Sequence, residues 1–597
     1  MKENAWTKES GWKTVIRNLF QYGCYAFFGL CAVYLTVLSL FSTSSVQLKR
    51  VMSEGEAEWF ARHVFFLPDS PWRHLAAGVL ALLLFSLVRN LASLAGFGKK
   101  KGRFLWLFLP FLFLCTVFVF WADLYPASDP SKILRIARQV KEQNLEQFAV
   151  GGYMHRYPDQ TGIVLFYYVF HCLFGWNDYL AIQIWNALLL TGAYFLLGRI
   201  ADLLWGGEDK MAQGLTWFFC LAFFPMTLYV TFVYGTIPGL FFSILAFYLE
   251  LEYMGTGKLA YGIAAAASIS FAILWKTNSL VMFIAMCIFL MYDFVMEKGE
   301  RKKKTLLVIV ALFALQRGAT WTVNGVMEGL TGVKVAQGMP KTAWVAMALR
   351  DRGEAPGSWD GYSVGLYERN GYDYKKTNEA AKRKIAERMQ VFWDDRSYGV
   401  DFFGRKNCAQ WNDPAFGSLS AVDGREEDGR KKLDNLCHGP LKYSMEAVAN
   451  ELHSLILIGV CFYLILGRKR QKKGEMLLGI TTVGGAIFHT FWEAKPQYVL
   501  PYFVLLLPYC ARGYSAMAQR LLALWKERKE DVGQTKKRCL QAAAGAGIIC
   551  AFLGMISLLS GFRIISYTVH VQDGPEYLEQ YEEAVQRELE EYKERQE

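Results

Sequence analysis

The chain reads as an all-α polytopic membrane protein. Three observations predict this. Of its 597 residues, 53% are hydrophobic and 15% aromatic, and apolar runs of helix-spanning length recur along most of the chain. A bilayer core takes roughly 20 helical residues to cross, and only helices or closed barrels satisfy the backbone inside it. The strict alternation of barrel strands is missing from these runs. Finally, the basic residues collect in short loops between apolar runs, as the charge rule for cytoplasmic loops requires. The net charge of +11 is therefore topological, and no nucleic-acid partner is expected.

In chain order, the expected spans cover about 18–41, 74–95, 104–122, 179–198, 213–233, 237–252, 259–275, 280–296, 305–323, 450–466, 475–491, 497–511 and 539–562, about 13 in all. The N-terminus, with Lys2, Lys8, Lys13 and Arg17, runs straight into the first span and reads as a signal anchor with its start in the cytoplasm. Further cytoplasmic markers are Lys99–Arg103, Arg301–Lys304, Arg468–Lys473 and residues 512–538, which hold eight Lys or Arg. Between the first two of these loops lie seven apolar segments if 163–174 is included. An odd number would put Arg301–Lys304 outside. The 12-residue run Ile163–Phe174, which carries His171, is therefore expected to lie along the outer interface as a juxtamembrane helix.

Five regions follow: two extra N-terminal spans (1–103), a membrane module (104–323), a large extracytoplasmic loop (324–449), C-terminal spans (450–562) and an acidic extracytoplasmic tail (563–597). The chain is expected in the plasma membrane with its C-terminus outside. The 12 cysteines show no metal spacing. Cys408 and Cys437 share the large polar loop, where a disulfide and two free thiols are both open.

Three polar features share the outer face. The first is the loop 121–162, with Asp123 and Asp129 beside prolines and then the knot His155-Arg156-Tyr157-Pro158-Asp159-Gln160. A carboxylate at a span's exit is partly desolvated and a better base. Asp129 before Pro130 also fits a helix N-cap, and the two readings stay open. Arg156 suits phosphate oxygens, while Arg156 and Tyr157 equally suit an interfacial anchor. The second feature is Lys276-Thr277-Asn278, where a lysine opposes the outer-face charge bias. It either snorkels or meets an anionic headgroup. The third is Trp492-Glu493-Ala494-Lys495-Pro496-Gln497-Tyr498, whose charges form either a mutual ion pair or the wall of a phosphate site. No phosphate-binding loop, zinc motif or nucleotide fingerprint occurs.

The segment YPASDPSKILRIARQ, followed by RYPDQTGIVLFYYVFHCLFGWNDY, resembles the C-type (GT-C) glycosyltransferases of the protein-mannosyltransferase and aminoarabinose-transferase group. FPMTLYVTFVYGTIPGLFF resembles that group's second outer loop, and FHTFWEAKPQYVLPYF its late hairpin. GMPKTAWVAMAL and FGRKNCAQWNDP are similar to an uncharacterised bacterial branch. The resemblance covers roughly residues 104–511. It implies a GT-C-like fold, a polyprenyl-phosphate sugar donor, an extracytoplasmic acceptor (protein, polymer or lipid) and an inverting transfer. Asp129 then matches the catalytic aspartate, with Asp123 as second candidate. His155, Arg156, Tyr157, Asp159 and Gln160 line the donor site. Lys276, Asn278, Glu493, Lys495, Gln497 and Tyr498 contact donor or phosphate. Neither a metal nor another cofactor is expected, since two cations already face the phosphate. The chain departs from the pattern at Pro130, Thr236 and Gln497. The competing reading is a transporter or flippase for a lipid-linked or polar solute, which would place charge near the midplane.

Overall fold

The computed structural model describes residues 11–53, 56–94, 105–207, 209, 211–352, 354–422, 433, 439–467, 472–526, 554–556 and 558–565. Long apolar helices dominate them. α1 (Gly11–Phe41) is joined to α2 (Pro71–Leu94) by an antiparallel hairpin, β1 (Ser42–Ser53) and β2 (Glu56–Pro68). The described residues are predominantly helical, as expected, and this hairpin is a local departure from that pattern. β1 is polar and the apolar stretch of β2 is shorter than a span, so the hairpin carries no span-length apolar signal. Side chains from elsewhere hold it: Lys442 Nζ donates to the Val46 carbonyl at 2.6 Å and Asn412 Nδ2 to the Ser42 carbonyl at 2.8 Å.

The chain continues through α3 (Leu105–Ala122), α4 (Ser128–Lys141), the single turn α5 (Tyr153–Arg156), α6 (Thr161–Phe174) and α7 (Asp178–Trp205). α6 is a separate 14-residue helix, stopped at Gly175, whose φ is +59°. Fourteen residues rise about 21 Å, short of a hydrocarbon core of roughly 30 Å. The run expected at 213–233 is broken at Phe223 into α8 (Met211–Ala222) and α9 (Phe224–Leu228), bent by 53°. Pro225 at the start of α9 lacks the N–H that would continue the helix. Next come α10 (Thr236–Thr256), α11 (Leu259–Trp275), α12 (Leu280–Met296) and α13 (Gly299–Thr331). α13 passes through residue 323, the expected end of the membrane module, without a break.

The large loop holds α14 (Lys341–Ala348), α15 (Tyr362–Arg369), α16 (Tyr374–Asp394), α17 (Arg396–Trp411) and α18 (Ser418–Val422). The C-terminal part contains α19 (Gly439–Phe462), α20 (Leu477–Thr490), α21 (Pro496–Val504) and α22 (Leu507–Lys526). Among the described residues, six helical runs are long and apolar enough to cross a membrane, seven with the bent α8–α9 pair, and five shorter apolar helices accompany them. These numbers leave the expected count of about 13 unconfirmed, since parts of the expected spans 74–95, 104–122 and 539–562 lie outside the described residues.

Several of the basic groups meet at one end of the bundle. Lys13 donates to the Met296 carbonyl at 2.6 Å, Lys473 pairs with Glu297 at 2.6 Å and with Asp293, and Arg301 donates to the Tyr253 carbonyl at 2.7 Å. Arg512, expected in a solvated loop, is buried and pairs with Asp209 at 2.7 Å. Residues 99–103, 527–538 and the acidic tail from 566 onward lie outside the described residues, as does Cys437. Cys408 is buried beside Ser42, and burial pushes its thiol up to about 11.

Candidate functional site

α4 carries Asp129 in its first turn. The helix is amphipathic, and Ile133, Leu134, Ile136, Ala137 and Val140 bury against Tyr153, Met154, Ile163, Val164 and Tyr167. Behind it lies a saturated ionic knot. Arg138 donates to both oxygens of Asp178, at 2.9 and 2.5 Å, and to Tyr125 Oη at 2.8 Å. His171 Nδ1 lies 3.0 Å from the same carboxylate, and the Trp176 ring covers the guanidinium at 4.6 Å. A bidentate, ring-covered pair of this kind fixes α4, α6 and α7 in one register.

The cap reading of Asp129 is corrected: the N-cap is Ala127, with no side-chain cap bond. Ser128, just before Asp129, has φ +54°. A non-glycine residue in that region is held by its surroundings at a cost of about 1–3 kcal/mol, and such strain gathers at functional sites. Among the described residues the Asp129 carboxylate, which is exposed, makes no hydrogen bond or ion pair.

Asp129 lines a cavity of about 350 Å³. Another part of its wall is the turn between α20 and α21, which supplies Glu493 and Lys495, and the start of α21, which supplies Gln497 and Tyr498. Pro496 at the first helical position of α21 ends the extended turn there. Tyr229, Phe232 and Tyr234 come from the segment between α9 and α10. Glu354, Ala355, Ser358 and Trp359 come from the turn after α14, and Val46 and Val64 from the hairpin. The last two walls complete the cavity from outside the expected membrane module.

The Glu354–Trp359 turn is held at Gly357. Its carbonyl accepts from Ala494 N at 2.8 Å, and its φ is +74°. A Cβ there would sit 2.5 Å from the Ala348 carbonyl oxygen and 2.8 Å from Lys406 Nζ. Only glycine fits this approach. Lys406, fully buried, donates to the Ala348 carbonyl at 2.6 Å, and burial lowers its ammonium to about 7.

Lys276 reaches the site from the break between α11 and α12. Its Nζ lies 3.8 Å from the Tyr234 ring centroid and 5.3 Å from that of Tyr498, both cavity walls. Gly235 and Gly239 allow the approach: a Cβ on Gly235 would meet the Trp275 carbonyl oxygen at 1.9 Å, and one on Gly239 the Lys276 Cβ at 2.8 Å. Burial and then the Lys495 charge lower the Lys276 ammonium to about 7, while Asp129 and Glu493 pull it back up. Glu493 is 6% exposed. Burial pushes its carboxyl above the usual range, Asp129 and Glu354 add to the rise, and Lys495 and Lys276 oppose it. Among the described residues it has no hydrogen bond or ion pair.

The other expected site residues stand outside this wall. Asp123 accepts from Tyr179 Oη at 3.1 Å. Arg156 pairs with Glu368 at 3.3 Å, and Asp159 with Lys341. His155 stacks on Tyr367, Tyr157 packs on Trp344, and Asn278 accepts from Tyr502 through its backbone carbonyl. Gln160 stands one step behind the wall, donating to Tyr234 Oη at 3.2 Å. The knot thus fastens the large loop to the membrane part, and its cation is occupied by a carboxylate 212 residues away. Sequence reading missed Tyr234, Glu354, Ser358, Trp359 and the hairpin valines. The turn DRGEAPGSWD held a signal: a carboxylate and an aromatic among glycines and a proline, in a loop.

The described residues thus define a polytopic helical membrane protein with a charged cavity at the end of the bundle opposite the basic cluster. Neither a family profile nor a curated protein matches the sequence. The chain is similar to solved structures of the archaeal oligosaccharyltransferase AglB from Archaeoglobus fulgidus. Against the complex with an inhibitory peptide and a dolichol-phosphate, identity is 16% and the TM-score 0.36, covering 77% of this chain and 56% of that one. Against the apo form, identity is 16% and the TM-score 0.37, with coverage of 77% and 56%. The chain spans about half the length, 56%, of these solved structures.

Proposed function

We propose that the protein is a membrane glycosyltransferase that moves a sugar from a polyprenyl-phosphate donor to an acceptor hydroxyl with inversion. One observation carries this: Asp129, a carboxylate with no hydrogen bond or ion pair among the described residues, shares a cavity with Lys495 and with the rings that cover Lys276. A free base beside free cations is the minimum set for displacing a phosphate by a hydroxyl.

Asp129 takes the proton of the acceptor hydroxyl as its oxygen attacks the anomeric carbon. The lipid phosphate leaves toward Lys276 and Lys495, whose charges stabilise it. Gln497 and Tyr498 complete the phosphate end, and no step is routed through a metal. A single displacement inverts the anomeric centre; retention would need a nucleophilic carboxylate as well. The donor's sugar and the acceptor's class stay open between hexose and pentose, and between protein, polymer and lipid. The basic cluster supports a reading with its end of the bundle in the cytoplasm and the cavity outside, the N-terminus cytoplasmic and the C-terminus extracytoplasmic. α6 then lies along the outer interface, and charge gathers there rather than at the midplane a transporter would use.

The test is Asp129→Asn in purified protein given polyprenyl-phosphate hexose and pentose donors, alongside mass spectrometry of cell-envelope glycans with and without the gene. The variant is expected to fold and to lose transfer. Full activity in it overturns the assignment of the base.

A further inference from the structure

Glu493 poses a problem that phosphate binding by itself does not solve. Its carboxyl lines the same cavity as Lys495 and Asp129, is nearly buried, and has no hydrogen bond or ion pair among the described residues. If ionised, it would repel the phosphate that the lysines attract. If protonated, it would be a hydrogen-bond donor aimed into a cavity that otherwise offers a free carboxylate. Its surroundings favour the second state. Asp129 and Glu354 face it from α4 and the large loop, and Lys495 and Lys276 face it from its own turn and from the α11–α12 break. Lys406 of α17 also senses its charge. Crowding of carboxylates in a partly dry cavity drives a proton onto one of them, and burial selects Glu493 over the exposed Asp129.

We propose that Glu493 is the general acid of the reaction, protonating the departing phosphate oxygen while Asp129 acts as base. This rests on the transferase reading above. The acceptor O–H bond breaks and its proton goes to Asp129. The acceptor oxygen bonds to the anomeric carbon as the bond from that carbon to the phosphate oxygen breaks. The electron pair stays on that oxygen, which takes the proton of the Glu493 carboxyl. The products are the glycoside, a monoprotonated lipid phosphate, protonated Asp129 and ionised Glu493. Exchange with water resets both groups. Two carboxylates held in opposite protonation states by unequal burial are a familiar way to run acid and base chemistry together. Ionised Glu493 would also help to expel the anionic product.

The experiment is the pH profile of kcat at saturating polyprenyl-phosphate sugar in wild type, Glu493→Gln, Glu493→Asp and Lys276→Arg. Wild type is expected to lose kcat at high pH as Glu493 loses its proton. Glu493→Gln is expected to lower kcat about a hundredfold and to abolish that alkaline limb. Glu493→Asp should keep the limb at a shifted position, and Lys276→Arg should leave it in place. An unchanged limb in both Glu493 variants, or one that disappears only in Lys276→Arg, overturns the proposal. Folding is checked by thermal unfolding, and Glu493→Asp carries the test if the Gln variant does not fold. Failure of the transferase reading looks different: Asp129→Asn would then retain full transfer whatever Glu493 does.

Discussion

Two groups of charges flank α4, and they are built in opposite ways. Behind the helix, Arg138, Asp178, His171 and Tyr125 pair with one another, and both Asp178 oxygens accept from the guanidinium. In front of it, Asp129 and Glu493 share a cavity and neither has a hydrogen bond or an ion pair among the described residues. Saturated charge fixes geometry and is inert. Charge left open keeps its interaction energy for something that arrives later. The Arg156–Glu368 and Asp159–Lys341 pairs fall on the structural side of that line.

The contrast can be broken by substitution. Asp129→Asn should cost about 10²–10⁴ in transfer rate, the usual span for a lost general base, with no loss of thermal stability. Arg138→Met should do the reverse, costing about 3–5 kcal/mol of stability because Asp178 is stranded. The double variant Arg138→Met with Asp178→Leu should recover much of that in thermal unfolding. No recovery would mean that the knot does more than hold α4.

Lys276→Met should lower transfer by about 10²–10³ by removing one phosphate contact. Lys276 also sets a pH dependence. Its ammonium is lowered to about 7, by burial and then by Lys495. The charged form that binds phosphate is therefore full below that pH and lost as pH rises through it. In a Glu493→Gln background, where the acid no longer titrates, binding of the polyprenyl-phosphate donor should weaken above about pH 7, and Lys276→Arg should remove that weakening; a weakening that persists would clear Lys276 of the role. The smallest effect is expected at Asp123→Asn, which stands outside the cavity wall. It should change stability by no more than about 0.5 kcal/mol and leave transfer intact.

Much of the scaffold was legible in the sequence. The helices of the membrane part follow apolar runs because the bilayer leaves the backbone no other solution. Asp129, Lys276 and Glu493 stood out because polar residues at the ends of such runs are few. The hairpin was not legible, since its strands carry no sustained apolar alternation. Nor was the break at Phe223, which depends on local backbone geometry within an otherwise apolar run, whereas the end of the short run at Phe174 was expected and falls at Gly175.

The sequence by itself determined a helical membrane scaffold and the short set of polar residues at the ends of its helices. Bilayer thickness and charge asymmetry act on local stretches of chain, so local stretches reveal them. Only the tertiary structure decided which of those residues are free. Arg156 looked as able to bind phosphate as Lys276, but Glu368 occupies it from the far end of the large loop. Glu493 and Lys495 are neighbours in sequence, yet form no ion pair among the described residues. The carboxylate beside them in the cavity wall, Glu354, arrives on a turn held by the contact of Ala494 with Gly357. Pairing is a property of distance in space, and these distances are set by contacts between residues more than a hundred positions apart.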